Sequence, residues 1–282
     1  MGVLDRIRSI IGGSSDGEGV ADGRTASEGE SAGIDRGAGT GRAGTDPGDD
    51  RKVGAHGAHW DAAVGTDDEV REATVEAVRR GETLPGRTVG GREVVGHRHP
   101  AGNAVWTCAV TTGESLTTAY PVAGGIGHEV TVTEVIEWAN GVEAQVAFDL
   151  SGRRAAAFDA GYFRPVEYEA GDAIRLDLSG FAYEVAPAGG ESQVTEGGVP
   201  EEGQQAFVGF DGGDVDDYLL RGRVEEVRHG EFRGRDLYGL RIPIPEGGEV
   251  AVYAADHVLD GYVPEPGDEV EGVVWLQAWV AD

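Results

Sequence analysis

The sequence predicts a mainly β protein: two tandem small β-barrel units, preceded by one helix and by a disordered N-terminal region. Three observations support this fold class. From Val89 to the C-terminus, short runs rich in valine, threonine and aromatic residues are separated by Gly, Asn or Pro turns. Two of these runs follow the same Gly-Asp pair, which indicates an internal repeat. Residues 12–65 contain few large aliphatic side chains, so they bury too little apolar surface to offset the entropy of ordering.

Residues 1–11 form an amphipathic pattern and are predicted to be a short helical tip. Its apolar stripe follows helical spacing and consists of Val3, Leu4, Ile7, Ile10 and Ile11. An isolated helix of this length is marginal in water, so it folds only when the stripe is buried against another surface. Three interpretations remain open: docking onto a protein partner, folding back onto its own domain, or lying on a membrane surface.

Residues 12–65 are predicted to be a disordered tether rich in glycine. With a random-coil reach of about 5–6 Å times the square root of the residue number, the glycine-rich residues 12–59 span roughly 35–40 Å. A tip that needs a surface, on a long tether, is typical of recruitment.

A helix is predicted from Thr66 to Gly81. Thr66 and Glu69 fit a capping box, and acidic residues fill the first turn. Its small apolar face, which suggests packing onto a sheet, consists of Val70, Ala73, Ala77 and Val78.

The two β units are recognised by matching positions. Residues 173–183 and 269–280 follow Gly171-Asp172 and Gly267-Asp268, and the Val-x-x-Val run 132–135 matches 224–227. Each unit is predicted to contain three strands, a short crossover (160–163 or 255–259) and a long final strand. That order resembles the small five-stranded OB-type barrel. Because the second unit lacks a fifth strand in this interpretation, residues 206–210 are predicted to supply it.

Residues 120–282 also resemble uncharacterised tandem small-β-barrel proteins of bacteria and archaea. The resemblance depends on Gly222-Arg-Val224-Glu-Glu-Val227 and on Gly272-Val-Val-Trp275-Leu276-Gln277. It implies the architecture, and it implies no activity.

The charge balance restricts where the protein works. The 282 residues include 51 acidic and 23 basic side chains, for a formal charge of −28, and Lys52 is the single lysine. This composition resembles the proteomes of salt-in halophilic archaea and predicts a cytoplasmic protein of a halophilic cell. It opposes non-specific attraction to nucleic acid and to anionic lipid. No apolar run reaches the length of about 18 residues that a membrane-spanning helix needs.

We expect the fold to loosen in low salt. At molar salt the Debye length is about 3 Å, which screens the repulsion between carboxylates, whereas dilution restores it. Near- and far-ultraviolet circular dichroism across a potassium chloride series measures the effect. A sharp tertiary signal at about 50 mM salt, where the Debye length exceeds 10 Å, would contradict it.

The sequence predicts no cofactor, metal or catalytic site. Cys108 is the single cysteine and is predicted to be a buried structural thiol. The His97-Arg-His99 pair has the spacing of a zinc pair on a strand, but no third ligand stands at a recognisable spacing. These histidines are therefore interpreted as surface residues, as are His56, His59 and His128. The acidic loop 211–217 does not follow the EF-hand order and is interpreted as a linker.

Single-stranded nucleic acid is the alternative partner, because residues 221–241 are the one net-positive stretch of the predicted folded region. The candidate contacts are Arg228, Arg233, Arg235 and Arg241. If residues 232–242 form one strand, Phe232 and Tyr238 lie on the face opposite the arginines. That separation favours a core face and a solvent face, with the arginines pairing to nearby carboxylates.

The chain is thus divided into the tip (1–11), the tether (12–65), a helix with the first barrel (66–200) and the second barrel (201–282). The predicted function is a non-catalytic binding or scaffold protein that recruits a protein partner through the tip. The sequence leaves open the oligomeric state and whether the two units pack together.

Overall fold

The computed structural model of the chain describes residues 56–102, 104–189, 205–211, 213–245 and 248–281. These residues are mainly β, as predicted. Two helices come first: α1 (Gly57–Asp61) and α2 (Asp67–Arg80). The strands that follow are β1 (Glu82–Val89), β2 (Arg92–Gly102), β3 (Val105–Thr112), β4 (Ser115–Ala123), β5 (Ile126–Glu137), β6 (Ala144–Leu150), β7 (Arg153–Asp159), β8 (Ala173–Pro187), β9 (Ala206–Gly209), β10 (Asp217–Arg223), β11 (Glu226–Phe232), β12 (Arg235–Ile244), β13 (Gly248–Ala255) and β14 (Glu269–Val280). A short 3-10 turn, Asp256–Val258, lies in the second predicted crossover.

The strands of the described residues form two sheets. Strands β1 to β4 make an antiparallel meander, and the other ten follow the order β11-β12-β13-β8-β5-β6-β7-β14-β10-β9. An additional pairing joins β8 to β14. This pairing closes β8, β5, β6, β7 and β14 into one five-stranded barrel. It also brings β14, β10, β11, β12, β13 and β8 into a second barrel, in which the consecutive strands β10 and β11 pair with β14 and β12 respectively, so both OB-like units are present.

The repeat predicted from the Gly-Asp turns is confirmed by equivalent hydrogen bonds. In the first unit Gly171 N donates to Val132 O (2.8 Å) and Val132 N donates to Asp172 O (2.8 Å). In the second unit Gly267 N donates to Val224 O (2.7 Å) and Val224 N donates to Asp268 O (2.8 Å). Both turns need glycine, because φ is +102° at Gly171 and +101° at Gly267.

The two units exchange strands, which answers the question of the fifth strand. Strand β7 pairs in parallel with β14, and β13 pairs in parallel with β8, so each barrel is completed by the last strand of the other. Gly180 and Leu276, which occupy equivalent positions, face each other in the antiparallel β8–β14 pair. Residues 206–209 do form a strand, but it extends the sheet edge beside β10 instead of closing the barrel. The domain boundary at residue 200 stays a prediction.

Two further expectations need correction. The prediction of a disordered tether is wrong for residues 56–65, because Trp60, Ala63 and Val64 are buried. Residues 232–242 do not form one strand, because Arg233 and Gly234 make a turn with φ of +53° and +83° between β11 and β12. The aromatics of this stretch still turn inward, since Phe232 is fully buried and Tyr238 is half-buried.

Two hydrophobic cores position the site. One fills the barrels with aliphatic side chains such as Val146, Leu176 and Leu276. The other lies on the outer face of the first barrel, under the β1–β4 sheet and residues 60–64, and is rich in aromatic rings. In the described part of the chain, no helix is long and apolar enough to cross a membrane.

Helix α2 begins at the predicted capping box and packs on β2 and β3. Thr66 Oγ1 accepts from Glu69 N at 3.3 Å, and the Glu69 carboxylate accepts in return from Gly65 N at 3.2 Å. Ala73 and Ala77 are buried, but Val78 of the predicted apolar face is exposed. The acidic face of the helix turns toward the arginines of the second barrel.

We expect the Glu69–Arg235 pair to make stability pH-dependent. The Arg235 guanidinium lies 2.9 Å from Glu69 Oε1 and lowers the pKa of Glu69 to about 2. The pair therefore stabilises the fold above the ordinary glutamate pKa, and this contribution is lost as the pH falls from about 4.5 toward 2. Arg235→Gln should cost at most about 1 kcal/mol at pH 6, because both side chains are partly exposed. The difference from the native protein should shrink on acidification.

Urea unfolding between pH 6 and pH 3 measures that difference. Arg71→Gln is the control, because its partner Asp68 is on the same helix and both side chains are largely exposed. An Arg235→Gln difference that stays constant with pH would contradict the expectation.

Candidate functional site

Three buried side chains hold residues 56–64 against the first barrel; we call His56, His59 and Glu143 the clasp. His56 Nε2 is hydrogen-bonded to Glu143 Oε1, and His56 Nδ1 lies 2.8 Å from His59 Nδ1. His56 is 7 %, His59 6 % and Glu143 2 % exposed, so the expectation of surface histidines at 56 and 59 is wrong. A carboxylate can only accept, so His56 donates from Nε2 to Glu143.

The surroundings of the clasp fix its geometry. Glu143 also accepts from Thr118 Oγ1 (2.8 Å) and from the Asn140 amide. The His56 ring stacks on Trp138 at 5.5 Å between centroids, and the His59 ring stacks on Trp275 at 3.9 Å with the planes within 2°. Each polar atom of the Glu143 carboxylate is therefore paired, as a buried charge requires.

Two carboxylates of the acidic loop join this polar core. Asp216 accepts from Gln145 Nε2 (2.6 Å) and from Trp275 Nε1 (3.1 Å). Asp217 accepts from the Tyr183 hydroxyl at 3.1 Å, and burial together with this carboxylate raises the pKa of Tyr183. The loop is thus more than the solvated linker expected from its sequence, because it places two hydrogen-bonded carboxylates in the core.

The corresponding face of the second barrel is open and forms a cleft of about 820 Å³. Its floor is the outer face of β11, β12 and β13, and its wall is the segment 124–126. The Tyr253 hydroxyl donates to Gly124 O at 2.9 Å and joins floor to wall. The cleft is lined by Ile126, Glu226, Arg228, His229, Gly230, Leu237, Gly239, Leu240, Arg241, Glu249, Ala251 and Tyr253.

The repeat explains why one face is filled and the other is open. Strand pairing aligns Glu134, Ile136 and Trp138 with Glu226, Arg228 and Gly230. The same pairing aligns Gln145 with Gly239, and its neighbour Phe158 with Tyr253. The first unit thus has large side chains under the clasp where the second unit has glycine. Loss of side-chain volume at Gly230 and Gly239 creates the cleft.

The four arginines of the nucleic-acid alternative fall into two groups. Arg228 and Arg241 line the cleft, where they pair with Glu226 (2.8 Å) and Glu249 (2.7 Å). Arg233 pairs with Glu76 at 2.7 Å and Arg235 with Glu69, so both face helix α2. The expectation that these arginines pair with carboxylates is confirmed. The tip residues 3, 4, 7, 10 and 11 lie outside the described residues.

The other candidate ligands do not come together. His97 is half-buried beside Thr111 Oγ1 at 3.3 Å, and burial lowers its pKa. His128 lies on β5, in the other sheet, and its Nε2 is 2.8 Å from Glu249 O. Within the described ranges, no group of three or more His, Cys, Asp or Glu side chains has a geometry that could hold a metal ion. Cys108 is fully buried as predicted, and burial raises the pKa of its thiol to about 12.

The described residues define a double OB-like β-barrel whose first unit is covered by its own N-terminal segment and whose second unit carries an open cleft. No protein-family model and no curated protein matches the chain. Among solved structures, the chain is similar to the cytoplasmic molybdate-binding protein ModG, in a crystal form with molybdate bound. The similarity has 17 % sequence identity and a TM-score of 0.32, and it covers 55 % of this chain and 96 % of that chain.

Proposed function

We propose that the protein is a non-catalytic binding or scaffold protein that recruits a protein partner through residues 1–11. The observation that supports this proposal is the clasp. It holds the chain at His56, so the point at which residues 1–55 join the double barrel is fixed by buried hydrogen bonds. A recruiting segment needs such an attachment, because a partner bound at the tip then remains tied to the folded body.

The charge of −28 supports a setting in the cytoplasm of a halophilic cell. In molar salt, ionic attraction is screened within about 3 Å, whereas burial of apolar surface is not weakened. An apolar stripe is therefore the better means of recruitment under those conditions.

A capture experiment in about 1 M potassium chloride tests the proposal. The full chain is compared with Ile7→Asp, which places a charge in the apolar stripe, and with Ser9→Asp, which places the same charge on the polar face. We expect a protein partner to be captured by the full chain and by Ser9→Asp, and to be lost with Ile7→Asp. Equal capture by all three chains would refute recruitment through the stripe.

Single-stranded nucleic acid binding by the second barrel is the second candidate. The observation that favours it is the position of Arg228, Arg241 and Tyr253 in one cleft on the face that OB-type barrels use for ligands. The carboxylates Glu226 and Glu249 already neutralise both arginines, and molar salt weakens phosphate contacts further.

The discriminating variants are Arg228→Glu and Arg241→Glu. Changes at Arg233 or Arg235 would disturb helix α2 as well, so they are unsuitable. Fluorescence anisotropy with a thymidine decamer at about 0.1 M and 1 M salt measures binding. The binding constant should fall as the salt concentration rises, more steeply the more phosphates the protein contacts. Binding that both variants abolish would establish this candidate, and no binding at either salt would remove it.

A further inference from the structure

The open cleft of the second barrel has an equivalent in the first barrel, and there the occupant is visible. Residues 56–64 of the chain itself cover that face, with His56 stacked on Trp138 and edge-on to Phe158 at 4.9 Å. This protein thus covers an OB-like face with its own N-terminal chain. The second unit presents the same face with Gly230 and Gly239 in place of Trp138 and Gln145.

None of the residues that the structure describes covers the cleft. A covering segment of this chain would therefore come from residues 1–55. The floor is apolar at Leu237, Ala251 and the ring of Tyr253, and Ile126 stands on its wall, whereas Leu240 turns into the barrel core. Residues 1–11 carry five aliphatic side chains at helical spacing, whereas residues 12–55 contain only Val20, Ile34 and Val53 as large aliphatics. The tip is therefore the N-terminal segment whose stripe matches this floor.

Charge also favours the tip as occupant. Arg6 and Arg8 outnumber Asp5, so the tip is net positive in a chain with a formal charge of −28. The rim pairs three carboxylates, Glu225, Glu226 and Glu249, with only two arginines, Arg228 and Arg241, so it keeps a net negative charge. On a helix of 3.6 residues per turn, Arg6 and Arg8 lie on the two sides of the apolar stripe, where they can meet such a rim while the stripe faces the floor.

The length of the tether permits docking within one chain. The tether residues 12–55 have a root-mean-square reach of roughly 33–40 Å. A folded body of roughly 225 residues has a radius of gyration of about 17 Å, so the tip can reach any part of its surface. Tethering raises the effective concentration of the tip to the order of millimolar, so an intrinsic dissociation constant of about 1 mM suffices for half-occupancy. Burial of part of the aliphatic stripe is enough for an affinity this weak.

We infer that the cleft on β11, β12 and β13 is the docking site of this chain's own residues 1–11. The inference rests on the amphipathic tip of the proposed function and adds a competing state to it. A tip docked in the cleft is withheld from an external partner, so recruitment requires the partner to displace it. The cleft is then an autoinhibitory site for the recruiting segment.

Disulfide trapping in the full chain tests the inference. Ser14→Cys, just after the tip, is combined with His229→Cys on the exposed rim of the cleft. The matched control combines Ser14→Cys with Val208→Cys, which is 41 % exposed on β9 at the other end of the strand order. Native Cys108 is fully buried and does not compete. At low protein concentration the cleft pair should close roughly 10-fold faster than the control pair, because docking raises the local concentration.

Two further variants show whether the cleft is responsible. Gly230→Trp restores the residue of the first unit, and a Cβ at Gly230 meets only Leu237 O at 3.8 Å, so the new side chain can enter the cleft. In that background, and separately in Ile7→Asp, the two cysteine pairs should close at equal rates. If the cleft pair and the control pair close at equal rates in the chain that carries neither Gly230→Trp nor Ile7→Asp, the inference is overturned. Disulfides found only between two chains would also overturn it, in favour of a second copy as the occupant.

The capture experiment separates this inference from the proposed function. If the cleft pair closes faster but no partner is captured, docking stands and recruitment falls. If capture depends on Ile7 but the two pairs close equally, recruitment stands and docking falls. If both hold, Gly230→Trp should increase partner capture several-fold, because it releases the tip.

Discussion

Replacement of Glu143 by alanine is expected to lower the free energy of unfolding by about 3–5 kcal/mol, because three hydrogen-bond donors lose their acceptor at about 1–3 kcal/mol each. The variant leaves His56, Thr118 and Asn140 without the acceptor they share, in a site where Glu143 is 2 % exposed. Each unsatisfied buried donor then carries its own desolvation penalty. Urea unfolding in molar potassium chloride, followed by tryptophan fluorescence, measures the loss.

Glu134→Ala is the matched control for this change. Glu134 lies on β5, the strand that leads into the connection carrying Glu143, and pairs with Arg154 at 2.8 Å. The two side chains, however, are 52 % and 68 % exposed. Its removal should cost no more than about 1 kcal/mol. Similar losses from both variants would show that the clasp contributes no more than a surface pair.

Replacement of Trp275 by alanine should be comparably severe, at about 3–5 kcal/mol. Trp275 is fully buried, stacks under His59 and donates to Asp216, so the variant opens a cavity and leaves a carboxylate short of a donor. The clasp should loosen with it. Chymotryptic cleavage at Trp60, which is 4 % exposed in the folded chain, should accelerate roughly 10²- to 10³-fold if local opening limits cleavage.

Trp279→Ala provides the comparison on the same strand. Trp279 is half-buried and lies against Trp106 and the Arg164 guanidinium, away from the clasp. Its loss should lower stability less and leave the Trp60 cleavage rate near that of the native protein. Equal acceleration in both variants would mean that cleavage reports global unfolding and not the clasp.

The sequence was informative where the signal was local. The capping box at Thr66, the paired Gly-Asp turns and the burial of Cys108 all depend on residues a few positions apart, and each prediction holds. The closing of both barrels was beyond local patterns, because the missing strand of each unit comes from the other. Pairing such as Tyr253 with Phe181 joins positions 72 residues apart and leaves no periodic trace in either strand.

The clasp was missed for a related reason. Residues 56–64 contain two histidines, small residues and one tryptophan, a composition that resembles the preceding glycine-rich segment. Their burial depends on Glu143 and Trp275, which are distant in sequence. One signal was present in the sequence: His56, His59 and Trp60 lie within five positions, and aromatic residues are rare in a true linker. The cleft left a weaker trace, glycine in the middle of two strands at Gly230 and Gly239.

The exchange of strands makes the two barrels depend on each other for closure. Strands β8 and β14 each belong to both barrels, because β7 pairs with β14 and β13 pairs with β8. Neither repeat can therefore be cut away without opening the barrel of the other. Damage to one barrel wall is for this reason felt by both repeats, and the chain should unfold as one cooperative unit and not as two.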